Sequence, residues 1–155
     1  MGRKFPPQKT ISPTRKLFAQ YSQIKKTYGN IEEAQFGRDS FYVIMNIMPS
    51  PNSDCYKVKI SYRYGYRPQA ILLSPPLQQY NGEYPHHIYS RKPDGTASLC
   101  VYHPDKDEWN SNVPIATSFI PWVSTWLNTY EYWMITGEWH YDEVIINGNV
   151  KEGKE

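Results

Sequence analysis

The sequence predicts an α+β domain in which two helices pack against an antiparallel β-sheet. Apolar and polar side chains alternate without a break through residues 56–64, which is the period of a half-buried strand. Two other segments repeat their apolar residues every three or four positions, as helices do. The order along the chain is helix, strands, loop and helix, which indicates segregated layers rather than alternating βαβ units.

The first helix is expected over residues 13–28. Ser12 and Pro13 are a start signal, because serine caps helices and proline fits the first helical turn. Gly29 is a natural stop. The apolar residues between these signals recur at helical spacing, and they are Leu17, Tyr21, Ile24 and Tyr28. One face of the helix therefore belongs to the core.

Three strands are expected next, over residues 41–48, 56–64 and 69–73. Turn-forming residues at positions 51–54 separate the first two, and glycine and proline break the chain around the third. Short turns between consecutive strands predict an antiparallel meander. A fourth, weaker strand within residues 84–90 would bring neighbouring histidines to the sheet edge.

The second helix is expected within residues 114–136. Pro121 suits its first turn and Gly137 its end. Its apolar stripe is wide and consists of Val123, Trp126, Leu127, Tyr130 and Met134, with Trp122 and Trp133 at its margins. Such a band predicts a helix that is buried on the sheet.

Length and composition indicate one domain over residues 13–141, between a flexible basic arm (1–12) and a polar tail (142–155). Five Trp and fourteen Tyr provide bulk for the core of this 155-residue chain. No apolar run reaches the length of a membrane span, so we expect a soluble, cytoplasmic protein with no membrane contact. Its two cysteines are expected to be reduced.

Charge is distributed unevenly along the chain. The first 28 residues carry seven Lys or Arg and no acid, whereas the remainder carries ten basic and fifteen acidic residues. Four of these cations, Arg15, Lys16, Lys25 and Lys26, fall on the first helix. These cations are consistent with a helix face that is simply exposed to solvent. The alternative is that they form a surface that binds an acidic protein. No nucleic-acid partner is expected, because no reading module is evident.

Titratable side chains cluster between residues 84 and 110, namely His86, His87, Cys100 and His103. A thiolate is a strong nucleophile, and a nearby imidazole is a common means of activating it. The sequence also allows Cys100 to be a small buried hydrophobe. A zinc site formed with Cys100 and His103 would need the adjacent His86 and His87 to converge on one ion, which is unfavourable.

The sequence of this stretch resembles the active-site segment of ubiquitin-conjugating enzymes. In that segment a His-Pro-Asn triplet precedes the thioester-forming cysteine, and an element containing Trp follows it. The matching positions are Pro85, His86, His87, Ile88, Tyr89, Cys100, Trp109 and Asn110. Two departures stand out. His87 occupies the asparagine position, and about five extra residues, around 91–96, lengthen the segment before the cysteine.

The resemblance is closest to the stand-alone E2-like proteins of bacterial cyclic-oligonucleotide anti-phage systems (CBASS). Aromatic motifs after the cysteine carry it, at residues 121–122, 126–127, 130–133 and 136–139. The resemblance implies the ubiquitin-conjugating fold and a thioester with the C-terminus of a cyclic-oligonucleotide synthase, a cGAS/DncV-like nucleotidyltransferase. It also implies transfer of that acyl group to an amine. An activating enzyme that docks on the basic first helix is a further implied partner.

The resemblance also implies roles for single residues. Cys100 is the nucleophile, and His87 is an oxyanion donor, a general base or a brace for the loop. His86 and His103 are supporting residues, Tyr89 packs under the loop, and Trp109 anchors the segment that follows the thiol. No metal or cofactor is expected. The last two helices of eukaryotic relatives are expected to be missing, because the chain is too short for them.

Two other functions remain open from the sequence. Inactive relatives of the same fold act as binding modules, but they lack the cysteine. A Cys-His deconjugating protease would use the same pair with an activated water, normally with a third group to orient the histidine.

Overall fold

The computed structural model describes residues 12–102 and 109–140. Its elements, in chain order, are α1 (Pro13–Thr27), β1 (Ile31–Phe36), β2 (Ser40–Ile47), β3 (Tyr56–Arg63), β4 (Gln69–Ser74), β5 (Ile88–Arg91), β6 (Ala97–Leu99), a short 3-10 helix (Ile115–Thr117) and α2 (Phe119–Thr136). This content confirms the α+β class. The predicted tail, and the predicted arm apart from Ser12, lie outside the described residues.

The strands form one six-stranded antiparallel sheet in the order β1-β2-β3-β4-β6-β5. The meander of β2, β3 and β4 confirms the sequence prediction. β1 was not predicted, because Glu32, Glu33 and Gln35 give it no apolar alternation. The weak fourth strand is real but begins at Ile88, so that both histidines precede it.

One face of the sheet forms the core. Along β2 and β3 every second residue is buried, and the residues between them, which are polar apart from Ile44 and Tyr42, face outward. Both helices cover the buried face. Tyr21 of α1 packs edge-on against Phe41 at a centroid distance of 5.4 Å, and Tyr130 of α2 packs against Tyr56 at 6.3 Å. The apolar faces of the helices and of the strands thus pack together in one core that is rich in aromatic side chains.

Helix α1 begins as predicted, with the Ser12 hydroxyl accepting a hydrogen bond from the Arg15 amide at 3.2 Å. It ends at Thr27, one residue before the predicted end, and Tyr28 is already extended. The Tyr28 hydroxyl donates to the carbonyl of Ala116 at 2.6 Å. This bond ties the end of α1 to the segment that leads into α2.

Helix α2 begins at Phe119 and ends at Thr136, within the expected stretch of residues 114–136. The preceding residues form a 3-10 turn, and Ser118 has non-helical dihedral angles that separate the two elements. Pro121 lies in the first turn, as predicted, and Gly137 closes the helix in the left-handed region at φ 79°. Among the described residues, no helix has both the length and the apolar character needed to cross a membrane.

Candidate active site

The extra residues before the cysteine form the turn of a β-hairpin, β5–β6. At the turn, the Asp94 carboxylate accepts hydrogen bonds from the Thr96 amide at 3.0 Å and its hydroxyl at 2.8 Å, and these bonds lower the pKa of Asp94. Gly95 provides the positive φ of 94° that the turn requires. The hairpin joins the sheet through β4 and β6. The turn brings the two ends of the segment together.

His87 and Cys100 lie at the open end of this hairpin. The Cys100 amide donates a hydrogen bond to the His87 carbonyl oxygen at 3.0 Å. The same oxygen accepts a second bond from the indole N–H of Trp126, also at 3.0 Å. Trp126 is fully buried in α2. The core helix therefore fixes the backbone that carries both predicted catalytic residues.

The His87 imidazole is held by a ring contact. It stacks on the indole of Trp139 with a centroid distance of 4.8 Å and an interplanar angle of 25°. Trp139 in turn meets Trp126 edge-on at 5.2 Å. The structure thus brings His87 and Cys100 together through the backbone, and it sets the plane of the imidazole through Trp139.

The Cys100 thiol is half-buried and directly follows β6. Its sulfur lies 3.8 Å from the Tyr102 carbonyl oxygen, a weak hydrogen bond. The Tyr89 hydroxyl lies near the thiol. Partial desolvation of this hydroxyl, with a smaller effect of the neighbouring Cys100 thiol, raises the pKa of Tyr89 to about 12. Tyr89 therefore remains a protonated donor at neutral pH.

The expectation that Tyr89 packs under the loop was wrong, because its side chain is 64% exposed. The register of the hairpin shifts between Ile88 and Ser90. A bulge of this kind leaves one residue unpaired and redirects its side chain. The side chain of Tyr89 therefore lies on the solvent side of the hairpin.

The supporting residues are spread more widely. His86 is exposed, with Nε2 3.6 Å from a carboxylate oxygen of Glu83. Trp109 is buried and packs edge-on against Tyr62 at 5.4 Å, a position suited to the predicted anchoring role. His103 lies outside the described residues. No cluster of three or more His, Cys, Asp or Glu side chains in residues 12–102 and 109–140 is arranged to hold a metal ion.

The predicted docking cations all lie on α1. Arg15, Lys16, Lys25 and Lys26 are exposed, and the Lys25 ammonium lies 5.8 Å from the centroid of the Tyr21 ring. Lys25 and Lys26 occupy the last turn of the helix, where cations interact favourably with the helix dipole.

Two grooves flank the hairpin end. The first, the Trp139 groove, has a volume of about 430 Å³, and its walls include Tyr80, Glu83, His86, His87, Trp133 and Trp139. The second, the Arg67 groove, has a volume of about 450 Å³, and its walls include Tyr66, Arg67, Pro68, Tyr89, Leu99 and Tyr102. Tyr102, whose carbonyl oxygen accepts the weak hydrogen bond from the Cys100 thiol, lines the Arg67 groove together with Tyr89.

Sequence reasoning did not assign Trp139 and Arg67 to the site. Trp139 appeared only as the last residue of an aromatic motif, and its contact with His87 spans fifty-two positions of the chain. Arg67 follows Tyr66 in the turn after β3, where an arginine has no distinguishing pattern. The motif at residues 136–139 could have indicated Trp139 as a residue of the site. The sequence contains no comparable motif around Arg67.

Comparison with known families agrees with this geometry. The family model described as Type II CBASS E2 protein, E2-CBASS, matches residues 20–146, which include the hairpin, Cys100 and α2. The chain belongs to the E2-CBASS family. Membership indicates an E2-like protein with a role in CBASS anti-phage signalling. No curated protein matches this member of the E2-CBASS family.

Proposed function

We propose that this E2-CBASS protein is an acyl transferase that carries its acyl group as a thioester on Cys100. The main support for the proposal is the structural environment of the Cys100 thiol. Cys100 lies at the mouth of a hairpin braced by Trp126, and its sulfur is next to a protonated Tyr89 hydroxyl at the edge of a groove. A buried structural cysteine would need none of these features.

The chemistry needs two acyl transfers. The Cys100 thiolate attacks the carbonyl carbon of an activated donor, the thioester of an activating enzyme, and the donor's sulfur leaves as a thiolate. An acceptor amine then attacks the Cys100 thioester. Its nitrogen forms the amide bond and loses a proton, and the Cys100 sulfur leaves and is reprotonated. Neither step requires a metal or a redox change.

In this proposal His87 acts at the tetrahedral intermediate of either step. An imidazole N–H can donate to the oxyanion in place of the asparagine amide that the family's triplet provides, or a neutral imidazole can accept a proton from the attacking amine. Stacking on Trp139 supports both roles, because it restricts the ring to one plane. Tyr89 would donate to the sulfur as its negative charge develops.

The proposed acyl donor is the C-terminus of a cyclic-oligonucleotide synthase, a cGAS/DncV-like nucleotidyltransferase. Support comes from membership of the E2-CBASS family. The order of α1, the antiparallel meander, the cysteine after a hairpin and the buried α2 also suits the ubiquitin-conjugating fold.

The proposed surface for an activating enzyme is the cationic side of α1. Replacing Lys25 and Lys26 by glutamate should weaken docking of an acidic partner, and added salt should weaken docking of the unmodified protein. Alkylation of Cys100 by neutral iodoacetamide should not change. If the unmodified protein and the glutamate variant bound the partner equally well, these lysines would have no role in docking.

The deciding experiment incubates the protein with an acyl-charged donor and separates the products without reducing agent. We expect an adduct that thiols release in the unmodified protein and in Cys55→Ala, and no adduct in Cys100→Ala. Cys100→Ser should trap an oxyester that resists thiols. Accumulation of free acid instead of an adduct would indicate a hydrolase. An adduct of full yield in Cys100→Ala would exclude Cys100 as the carrier.

A further inference from the structure

We propose that the Trp139 groove binds the cationic side chain of a lysine or arginine in a protein partner, with Glu83 as the anion that pairs with it. This inference is independent of the proposed function, because it assigns a ligand to the groove and does not involve the thiol. The described wall combines aromatic rings with a carboxylate, and both attract an ammonium or guanidinium group.

A tight turn fixes the backbone of Glu83 at the groove. The Tyr80 amide donates to the Glu83 carbonyl oxygen at 2.8 Å, and the Glu83 amide donates back to the Tyr80 carbonyl oxygen at 3.1 Å. Asn81 and Gly82 occupy the two central positions, with φ values of 51° and 81°. Asn-Gly is the preferred pair for a turn in which both central residues have positive φ. The turn therefore holds the carboxylate-bearing residue in place before a ligand binds.

The Glu83 carboxylate is accessible to a ligand. Its side chain is 73% exposed, and one of its oxygens lies 3.6 Å from Nε2 of the exposed His86, which is longer than a hydrogen bond. Both residues line the groove. Among the lining residues that the structure describes, Glu83 is the only carboxylate, and none is a Lys or Arg. The charge of this wall therefore favours a cation.

Three aromatic side chains, Tyr80, Trp133 and Trp139, also line the groove. The rings of Tyr80 and Trp133 lie 5.8 Å apart at an interplanar angle of 53°, so that they form a corner rather than a flat stack. Trp133 also stacks on the buried Tyr130 at 6.1 Å, and the core thereby fixes its orientation. A cation within about 6 Å of such a ring is attracted by the quadrupole of the ring. The rings and Glu83 therefore favour the same class of ligand.

Gly137 allows the two halves of the wall to meet. A Cβ at this position would lie 2.5 Å from the Tyr80 ring, and Gly137 itself lines the groove. The end of α2, which carries Trp133, is thus packed closely against the turn that carries Glu83. The site is built from two elements that the fold holds together.

The shape and place of the groove favour a protein as the source of the cation. Lysine and arginine carry their charge at the end of a long alkyl chain, which can pack on apolar surface while the charged group reaches an exposed carboxylate. A groove of about 430 Å³ provides room for such a side chain. His87 lines the same groove, so that a partner bound there would lie beside the loop of the candidate active site.

The test records ¹H–¹⁵N NMR spectra of the full-length protein, in which five tryptophans give five indole N–H signals. The probes are acetylated and amidated tripeptides, Gly-Lys-Gly, Gly-Arg-Gly and Gly-norleucine-Gly, the last of which has the alkyl chain of lysine without its ammonium group. We expect the cationic peptides to shift the signals of Trp133 and Trp139, and the norleucine peptide to shift neither. The signal of Trp109, which lines a different groove, should stay in place with every probe.

Glu83→Gln should raise the dissociation constant of the cationic peptides about fivefold, and added salt should weaken their binding to the unmodified protein. The matched control is Glu33→Gln, which removes an equal charge from the exposed part of β1 and should bind as the unmodified protein does. Cys100→Ala should also bind normally, because the site does not use the thiol.

Equal shifts with the norleucine peptide would overturn the proposal, because binding would then be apolar. The absence of a shift with both cationic peptides, or an unchanged dissociation constant in Glu83→Gln, would overturn it as well. Lys151 and Lys154 of this chain are competing occupants. If their replacement by glutamine moved the Trp133 and Trp139 signals before any peptide was added, the groove would bind the chain's own tail, and the proposal of a partner would fail.

Discussion

The indole N–H of Trp126 and the carbonyl oxygen of His87 are 3.0 Å apart, and the Cys100 amide donates to the same oxygen. One buried side chain of α2 thus holds the backbone on which the candidate site is built. Because the carbonyl already has an amide donor, the second bond adds rigidity to the loop rather than satisfying an orphan acceptor.

Replacing Trp126 by phenylalanine should therefore loosen the site as well as the core. We expect the free energy of unfolding to fall by about 1–3 kcal/mol, from the lost hydrogen bond and the lost buried volume. The Cys100 amide should also exchange its hydrogen faster in native conditions, because local opening becomes easier. Denaturant titration and hydrogen exchange measure the two effects. Trp122→Phe on the same helix is the control, and faster exchange there too would argue against a specific brace.

Gly137 should be intolerant of a side chain for two separate reasons. Its φ of 79° is unfavourable for other residues, and a Cβ there would lie 2.5 Å from the Tyr80 ring. We expect Gly137→Ala to lower the free energy of unfolding by about 2–4 kcal/mol. Gly82 has a similar φ of 81° with open space around it. Gly82→Ala should therefore cost about 1 kcal/mol, and equal losses in chemical denaturation would show that the Tyr80 contact is unimportant.

Much of the fold follows from local pattern, and the site does not. Alternation along β3 and the wide stripe of α2 indicate elements whose buried faces the structure confirms. β1 lacks such a pattern. Its pairing with β2, rather than its own apolar residues, holds it at the edge of the sheet. The stacking of His87 on Trp139 depends on the end of α2 and the start of β5 meeting in space, which no local spacing contains.

The position of Tyr89 illustrates the same limit. Strand periodicity treats residues 88–91 as regular, but the register shift between Ile88 and Ser90 changes where the intervening side chain points. A bulge depends on pairing with the neighbouring strand, so that sequence periodicity cannot reveal it. The resemblance to ubiquitin-conjugating enzymes identified Cys100 as the residue of interest without this detail.

Tyr89 should act as a hydrogen-bond donor to sulfur at every working pH, because its pKa is raised to about 12. Tyr89→Phe should slow single-turnover acyl transfer about tenfold, as expected for losing one hydrogen bond to a charged group. Tyr66→Phe, in the same groove, is the control and should have little effect. A transfer rate in Tyr89→Phe equal to that of the unmodified protein would remove the hydroxyl from the mechanism.

The same pKa makes a prediction about stability. A phenol whose pKa is higher in the folded state contributes stability that is complete below the ordinary pKa of about 10 and is lost as pH rises toward 12. The free energy of unfolding should therefore fall less steeply with pH over this range in Tyr89→Phe than in the unmodified protein. Identical slopes in denaturant titrations would contradict the raised pKa.

The role of His87 can be resolved because its ring contact and its N–H groups can be removed separately. His87→Phe keeps a flat ring against Trp139 but has no N–H, whereas His87→Asn loses the ring contact and keeps an amide donor. The backbone bonds of the His87 carbonyl survive in both variants. If the imidazole donates to the oxyanion, His87→Phe should slow single-turnover transfer about a hundredfold, and His87→Asn should recover part of that loss. A general base would instead lose rate as pH falls through the pKa of the imidazole, and asparagine would not restore it. Full activity in His87→Phe together with a large loss in His87→Asn would mean that the ring only braces the loop through Trp139.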